Sequence, residues 1–195
     1  MTALGQQEMF VPAPRRRLVV REGQTSWWGV DPSSRRVSIA WIDPDGSRGV
    51  RSTPFPTDLS LGALLDAVFR LAVETARAAA FTDQASPGLV LVEQPSGKQP
   101  NPTLSYAVGV TIAGVQAALR GTSQGPCRIE TCSSSWWKKR ACGRGDIYKP
   151  KRKADGQYGV LTWANQNGYG GSSWDEADAW GIAEAARREV LLEVR

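Results

Sequence analysis

Four consecutive apolar residues, Leu89-Val90-Leu91-Val92, run without alternation from a Ser86-Pro87-Gly88 break to an acid, Glu93. A short unbroken run of this kind is the mark of a strand buried on both faces. Such a strand needs a covering layer on each side, which points to a mixed α/β architecture. A second strand, Ser26 to Asp31, ends the same way, in an acid, and Pro32 follows at once. Proline has no N–H for a ladder, so this strand is expected to stop or open at Pro32. A carboxylate at the end of a central strand is costly to place unless something uses it.

The other segments fit around these two. Arg36 to Ile42 carries Val37, Ile39 and Trp41 on one face, and Asp43-Pro44-Asp45-Gly46 is a turn signal. Arg48 to Ser52 then pairs back, completing an antiparallel meander. Leu61 to Ala80 has a helical apolar stripe at Leu61, Leu64, Leu65, Val68, Leu71 and Ala72, with Asp58 or Ser60 as its cap. Thr103 to Arg120 reads as a helix rich in Ala, Gly and Val, and Arg128 to Thr131 as another strand. Ser133 to Ala141 and Gln157 to Asn167 read as short helices. Gly170 to Ser173 reads as a flexible loop, and Trp174 to Leu192 as the last helix. Residues 1–25 are read as a basic, proline-containing arm, with Leu18 to Val20 pairing as an edge strand, and residues 26–195 as one domain.

The chain has 195 residues and contains no histidine. That removes Ser-His-Asp and Cys-His catalysis, HExxH zinc sites and histidine acid–base work. The three cysteines, Cys127, Cys132 and Cys142, form no CxxC and read as reduced thiols partly in the core. Any chemistry must come from carboxylates, lysines or hydroxyls. No signal peptide and no membrane-spanning run is expected, which gives a cytoplasmic location and no membrane partner. The net charge is +5, and a basic chain favours a polyanionic partner.

Two constellations carry chemistry. Asp175 and Asp178 lie three apart near the start of the last helix and share a face. Strand ends of a mixed sheet lie close together, so Asp31 and Glu93 are expected to meet this pair. Four clustered carboxylates repel, and a divalent cation removes the conflict. Oxygen-only ligation favours Mg²⁺ or Mn²⁺. Two such ions about 4 Å apart suit in-line attack of water on a phosphodiester.

The second constellation is a run of positive charge. From Lys138 to Lys153 there are eight cations, Lys138, Lys139, Arg140, Arg144, Lys149, Lys151, Arg152 and Lys153. Only Asp146 opposes them, a local net of +7. So one-sided a segment is expected to contact phosphates. Trp136, Trp137, Trp163 and Trp174 flank these two constellations, and either base stacking or core packing suits them.

Gly29-Val30-Asp31-Pro32-Ser33, Val92-Glu93-Gln94 and Asp175-Glu176-Ala177-Asp178-Ala179 resemble the acidic motifs of RuvC-type Holliday-junction resolvases, which are ribonuclease H-like nucleases. Ser135 to Lys149, with Gly143-x-Gly145, resembles that family's DNA-contacting segment. The resemblance runs from about Trp27 to Val190. It implies a ribonuclease H-like mixed five-stranded sheet, an antiparallel meander plus parallel strands, flanked by helices. It implies metal-binding, catalytic carboxylates at Asp31, Glu93, Asp175 and Asp178, and a homodimer that cuts a four-way junction symmetrically. Three features depart from the bacterial pattern. No aromatic follows Glu93, where the loop reads Gln94-Pro95-Ser96-Gly97-Lys98; the arm is rich in Pro and Arg; and Tyr158 to Trp174 is rich in Trp and Gly. A divergent, phage-encoded relative fits this pattern.

The expectation is therefore a Mg²⁺- or Mn²⁺-dependent endonuclease for branched DNA, with Lys98 and the basic segment on the phosphates. The alternatives are a nuclease of the same scaffold for hybrids, flaps or forks, and a non-catalytic nucleic-acid-binding or phage structural protein. The dimer face is expected on the helix Thr103 to Arg120, through Tyr106, Val110 and Ala113 or Val115, with Gly109 and Gly114 allowing close approach.

Overall fold

The computed structural model describes residues 25–33, 36–54, 59–82, 86–94, 102–120, 127–147 and 159–193. The elements are β1 (Thr25–Pro32), β2 (Arg36–Ile42), β3 (Arg48–Pro54), α1 (Leu61–Thr82), β4 (Ser86–Gln94), α2 (Pro102–Arg120), β5 (Arg128–Ser133), α3 (Ser134–Cys142), α4 (Gly159–Gln166) and α5 (Trp174–Glu193). The five strands form one sheet in the order β3-β2-β1-β4-β5. β1, β2 and β3 are the antiparallel meander, while β4 runs parallel to both β1 and β5. The architecture is the mixed, helix-flanked, ribonuclease H-like sheet expected from the sequence.

Alternation along the strands sorts the core into two layers. Trp28 and Val30 of β1, Val37, Ile39 and Trp41 of β2, and Val90 and Val92 of β4 pack with Val68, Ala72 and Val115 of α1 and α2. Leu89 and Leu91 of β4 and Cys132 of β5 pack on the other side with Trp137, Ala179, Ile182 and Ala183 of α3 and α5. The unbroken apolar run of β4 is thus buried on both faces, as its composition demands.

α5 is the centre of the second layer. Every residue from Ala177 to Ala186 is buried, which a helix permits only when it is covered all round. Its alanines let it lie directly on the sheet. A Cβ placed on Gly29 would fall well inside contact of the backbone of Ala179 and Ala183, so glycine is required where β1 meets α5.

Several boundaries differ from expectation. β1 does not stop at Asp31, because Pro32 still pairs with Val37 of β2. The parallel ladder to β4 does end, at Val30 opposite Val92, so the strand opens on that side only. Proline lacks a donor but keeps its carbonyl, which is enough for an edge position at a strand end. Gly170 to Ser173 is not a loose loop: Asn165 Nδ2 donates to the Gly171 carbonyl at 3.2 Å and Tyr169 Oη to the Ser173 carbonyl at 3.4 Å. Ser60, one of the two expected caps, accepts from the Ala63 N–H at 3.4 Å. Leu18 to Val20, Asp58 and the rest of residues 1–24 lie outside the described residues.

α2 corrects two further expectations. By length and composition it is apolar enough to cross a membrane, with mean hydropathy 1.2 over 19 residues. Much of it is packed into the first core layer instead, through Ala107, Val108, Thr111, Gly114, Val115 and Ala118. Gly114 lies against Ala72 and the Phe69 carbonyl of α1, so Gly114 and Val115 serve the monomer core and are not available to a second copy. Tyr106, Gly109 and Ala113 are exposed.

Candidate active site

Asp31 and Glu93 stand at the same end of the sheet. β1 and β4 are parallel neighbours, and the register Val30 opposite Val92 sets Asp31 and Glu93 one residue beyond the last pair. Both follow the parity of Gly29, Leu89 and Leu91, so both side chains point to the α5 layer. β5 adds Cys132 opposite Glu93.

Two ion pairs fix how α5 crosses this face. Arg36, at the start of β2 beside the end of β1, meets Asp175 at 3.3 Å. Arg48, at the far end of the β2–β3 pair, meets Glu184 at 3.3 Å. The first turn of α5 therefore lies at the end where Asp31 and Glu93 stand. Asp178, 5% exposed, is one turn further in. Ser173 starts the helix: its Oγ accepts from the Glu176 N–H at 3.4 Å, and its carbonyl accepts from Ala177 N–H at 3.1 Å. Tyr169 Oη donates to Glu176 Oε2 at 2.6 Å, tying the preceding turn to this cap. Arg36 Nη1 adds a bond to Ser173 Oγ at 3.4 Å.

Glu93 is held by a residue the sequence did not point to. The Nε1–H of Trp137 donates to Glu93 Oε2 at 2.7 Å. Trp137 is wholly buried, seated on Gly181 of α5, so its indole is a fixed donor. α3 is well delimited: Ser133 Oγ accepts from the Trp136 N–H, and Gly143 at φ 80° closes the other end by donating to the Lys139 carbonyl.

The electrostatics of this end are negative. Burial first, then the charges of Glu93 and Asp31, push the Cys132 thiol well above its ordinary value. The Cys142 thiol is pushed up to about 12, chiefly by burial, with Lys138 and Arg188 pulling it down and Asp178 and Glu184 pushing it up. Burial thus favours the neutral thiol at both positions, which weakens each as a nucleophile.

Among the described residues no three His, Cys, Asp or Glu side chains are grouped closely enough to hold a metal ion. Asp175 is turned to Arg36 and Glu93 to Trp137, as repelling carboxylates do when a cation or N–H donor is within reach.

The basic segment divides. Lys138 is not on the surface: it is 9% exposed, with Nζ 5.3 Å from the Trp137 ring centroid. α3 buries Trp137, Lys138 and Ala141, one face of a helix, and this turns Lys138 inward. Arg140 is paired with Glu189 of α5 and stands 5.8 Å from the Trp136 centroid. Lys139 is exposed, and Arg144 is exposed in a surface pair with Asp146 at 3.3 Å. Lys98, Lys149, Lys151, Arg152 and Lys153 lie outside the described residues.

Comparison with known proteins agrees with this geometry at the level of fold. No protein-family model and no curated protein matches the sequence. Among solved structures, the chain is similar to Thermus thermophilus RuvC at 16% identity and a TM-score of 0.56, over 86% of this chain and 96% of that one. It is also similar to T. thermophilus RuvC in complex with a Holliday junction substrate, at 13% identity and TM-score 0.57, with the same coverage. The chain thus has the fold of RuvC-type resolvases, a ribonuclease H-like fold.

Proposed function

We propose that this chain is a metal-dependent endonuclease that hydrolyses phosphodiester bonds in branched DNA, four-way junctions above all. One observation carries the reading. Asp31 and Glu93 leave adjacent parallel strands at the same end and on the same face, and the first turn of α5 brings Asp175 to that end with Asp178 one turn further in. The likeness in fold to a RuvC bound to a Holliday junction substrate supports the choice of substrate.

By its chemistry the donor set suits a hard divalent cation, and holding one would need the carboxylates closer than they stand here. The set is made of carboxylate oxygens, and its negative field is felt by Cys132. Asp31, Glu93, Asp175 and Asp178 would hold Mg²⁺ or Mn²⁺, two ions per site. When bound, such ions activate water and neutralise charge on the scissile phosphate. The chain's own groups do the rest. Trp137 fixes one oxygen of Glu93 and so sets where the other points. Arg36 steadies Asp175. Lys138 supplies a buried positive charge beside a phosphate. Lys139, Arg144 and the basic segment hold the DNA backbone by charge.

Two equivalent cuts need two equivalent sites, and a twofold homodimer supplies them. The exposed Tyr106 and Ala113 of α2, with Phe69 and Leu61 of α1, offer an apolar patch for that contact. The proposed location is the cytoplasm of a bacterial or phage-infected cell.

Incubating an end-labelled four-way junction with the protein and Mg²⁺ tests the reading. Symmetry-related nicks near the crossover are the expected products. Cleavage of flaps or RNA–DNA hybrids in preference to junctions would move the substrate. No Mg²⁺-dependent cleavage of any of these would leave a non-catalytic binding protein.

A further inference from the structure

Five large apolar side chains are exposed among the described residues: Leu59, Leu61, Phe69, Tyr106 and Trp136. The first four lie on or just before α1 and α2, the layer remote from the acids. Trp136 is the one that stands on the acidic layer, and 38% of it is exposed. Its neighbour Trp137 is wholly buried and touches Glu93. Consecutive helical residues point about 100° apart with a rise of about 1.5 Å. One indole therefore turns inward to the acid, and the next turns outward from the same helical turn. The cap from Ser133 Oγ to the Trp136 N–H fixes the backbone that carries it.

The surroundings of this exposed ring are cationic. The Arg140 guanidinium stands 5.8 Å from the ring centroid, and Lys139 and Arg144 are exposed on the same helix and its cap. An aromatic face bordered by Arg and Lys is the chemistry that takes single-stranded nucleic acid: the ring takes a base, and the cations take its phosphates. Fully paired duplex offers no free base face, so charge alone would serve there.

We infer that Trp136 is a stacking site for an unpaired nucleobase, set at the rim of the acidic end. The inference rests on the nuclease reading, and it names what that site recognises at a branch: a base that has left its stack. The sequence carries no aromatic directly after Glu93, and Trp136 reaches the same end of the molecule from α3.

The test uses the full chain without divalent metal, so that no cleavage is needed. Two labelled probes are titrated: a fully paired duplex, and the same duplex with one unpaired adenine. Trp136→Leu keeps apolar volume and removes the ring; Trp136→Phe keeps a ring. Stacking is worth about 1–3 kcal/mol per base, so Trp136→Leu should weaken binding of the bulged probe roughly 5- to 150-fold. Trp136→Phe should restore most of it, and both variants should bind the paired duplex as the parent does. With 2-aminopurine at the unpaired position, fluorescence should be quenched by the parent and stay bright with Trp136→Leu. Unchanged affinity for the bulged probe, or an equal loss on both probes, overturns the inference. A protein that cuts junctions yet shows either result keeps the nuclease reading and loses this site. One that passes this test yet cuts nothing keeps the stacking site and loses the nuclease.

Discussion

α5 carries two buried carboxylates, Asp178 near its start and Glu184 at its middle, and the two have different company. Glu184 is 3% exposed and is surrounded by guanidinium: Arg187 and Arg188 reach it at 2.7 and 2.8 Å and Arg48 at 3.3 Å. Burial alone would raise its pKa, but hydrogen bonds from Arg187 and Arg188 and the charges of Arg187 and Arg48 outweigh it and hold it below the ordinary value. Asp178 is 5% exposed and shares its end of the molecule with Asp31, Glu93 and Asp175, with Arg36 and Lys138 as the cations at hand. The middle of the helix thus sits in excess positive charge, and its first turn lies at the end that carries Asp31 and Glu93. A carboxylate already surrounded by three guanidinium groups has its charge answered from within the fold. The acids at the Asp31 end meet partners of mixed kind, Arg36 for Asp175 and the Trp137 indole for Glu93. Equal burial of two acids says little; the balance of charge around each distinguishes structure from site.

The sharpest way to break this comparison is to neutralise one acid from each group separately, Glu184 from the first and Asp31 from the second. Glu184→Gln should cost about 1.5–3 kcal/mol, the usual worth of hydrogen bonds to a charged group, because the arginines left behind are partly exposed, and it should be seen as a fall in Tm. Asp31→Asn should hold or raise the metal-free Tm, because it removes one of several repelling charges. Its cleavage rate should fall by more than the roughly 10- to 100-fold loss typical of an outer-shell partner. DNA binding should stay equal or tighten. If Asp31→Asn unfolds the protein and Glu184→Gln does not, the assignments are reversed.

The acid limb of stability sharpens the same contrast. Glu184 has a folded pKa below its unfolded one, so it contributes stability above about pH 4.5 that disappears as pH falls through the folded value. A Tm-against-pH curve should therefore drop more steeply below about pH 4.5 in the parent than in Glu184→Gln. Parallel curves would mean that the arginines do not lower this pKa.

A smaller effect is expected at Trp137. Trp137→Phe keeps the buried ring on Gly181 and deletes the donor to Glu93. Cleavage should fall about 10- to 100-fold, as for loss of a group that orients a ligand. Calorimetric Mg²⁺ affinity should fall with it, whereas a merely structural role would lower Tm and leave affinity alone.

Much of this was readable in the chain. The unbroken Leu89 to Val92 run, the meander with its Asp43 to Gly46 turn, and the acids at the strand ends fix layers, order and end. The Ser173-x-x-Glu176 spacing is a capping-box signal that would have replaced the flexible loop with a helix start, and Glu184, Arg187 and Arg188 have ion-pair spacing. Trp137 bonded to Glu93 left no trace, because the contact joins residues 44 apart and a core tryptophan reads as core. The burial of Lys138 was hidden for a related reason. A linear count of charge does not say which face of a short helix turns inward, and α3 spends that face on Trp137, Lys138 and Ala141.

That division of α3 sets the last and smallest prediction. If the positive surface is built by exposed cations alone, replacing Lys139 and Arg144 by Ala should lower DNA affinity modestly and alike for all sequences. On duplex the salt slope should flatten by about 0.9 for each phosphate that is no longer neutralised, close to 2 for the pair. Arg144 pairs with Asp146 at 3.3 Å, but both are well exposed, so the bond is weak and the guanidinium remains available to phosphate. Arg140 should contribute less, because Glu189 already answers its charge. Lys138→Ala should behave differently from all three. Its charge is turned inward, so removing it should slow cleavage while leaving the salt slope within a few tenths of the parent. Filter binding across a salt series, run beside single-turnover cleavage, separates the two behaviours. A flattened slope with Lys138→Ala, or an unchanged one with the Lys139 and Arg144 pair, would place the phosphate contacts on the inward face of α3 after all.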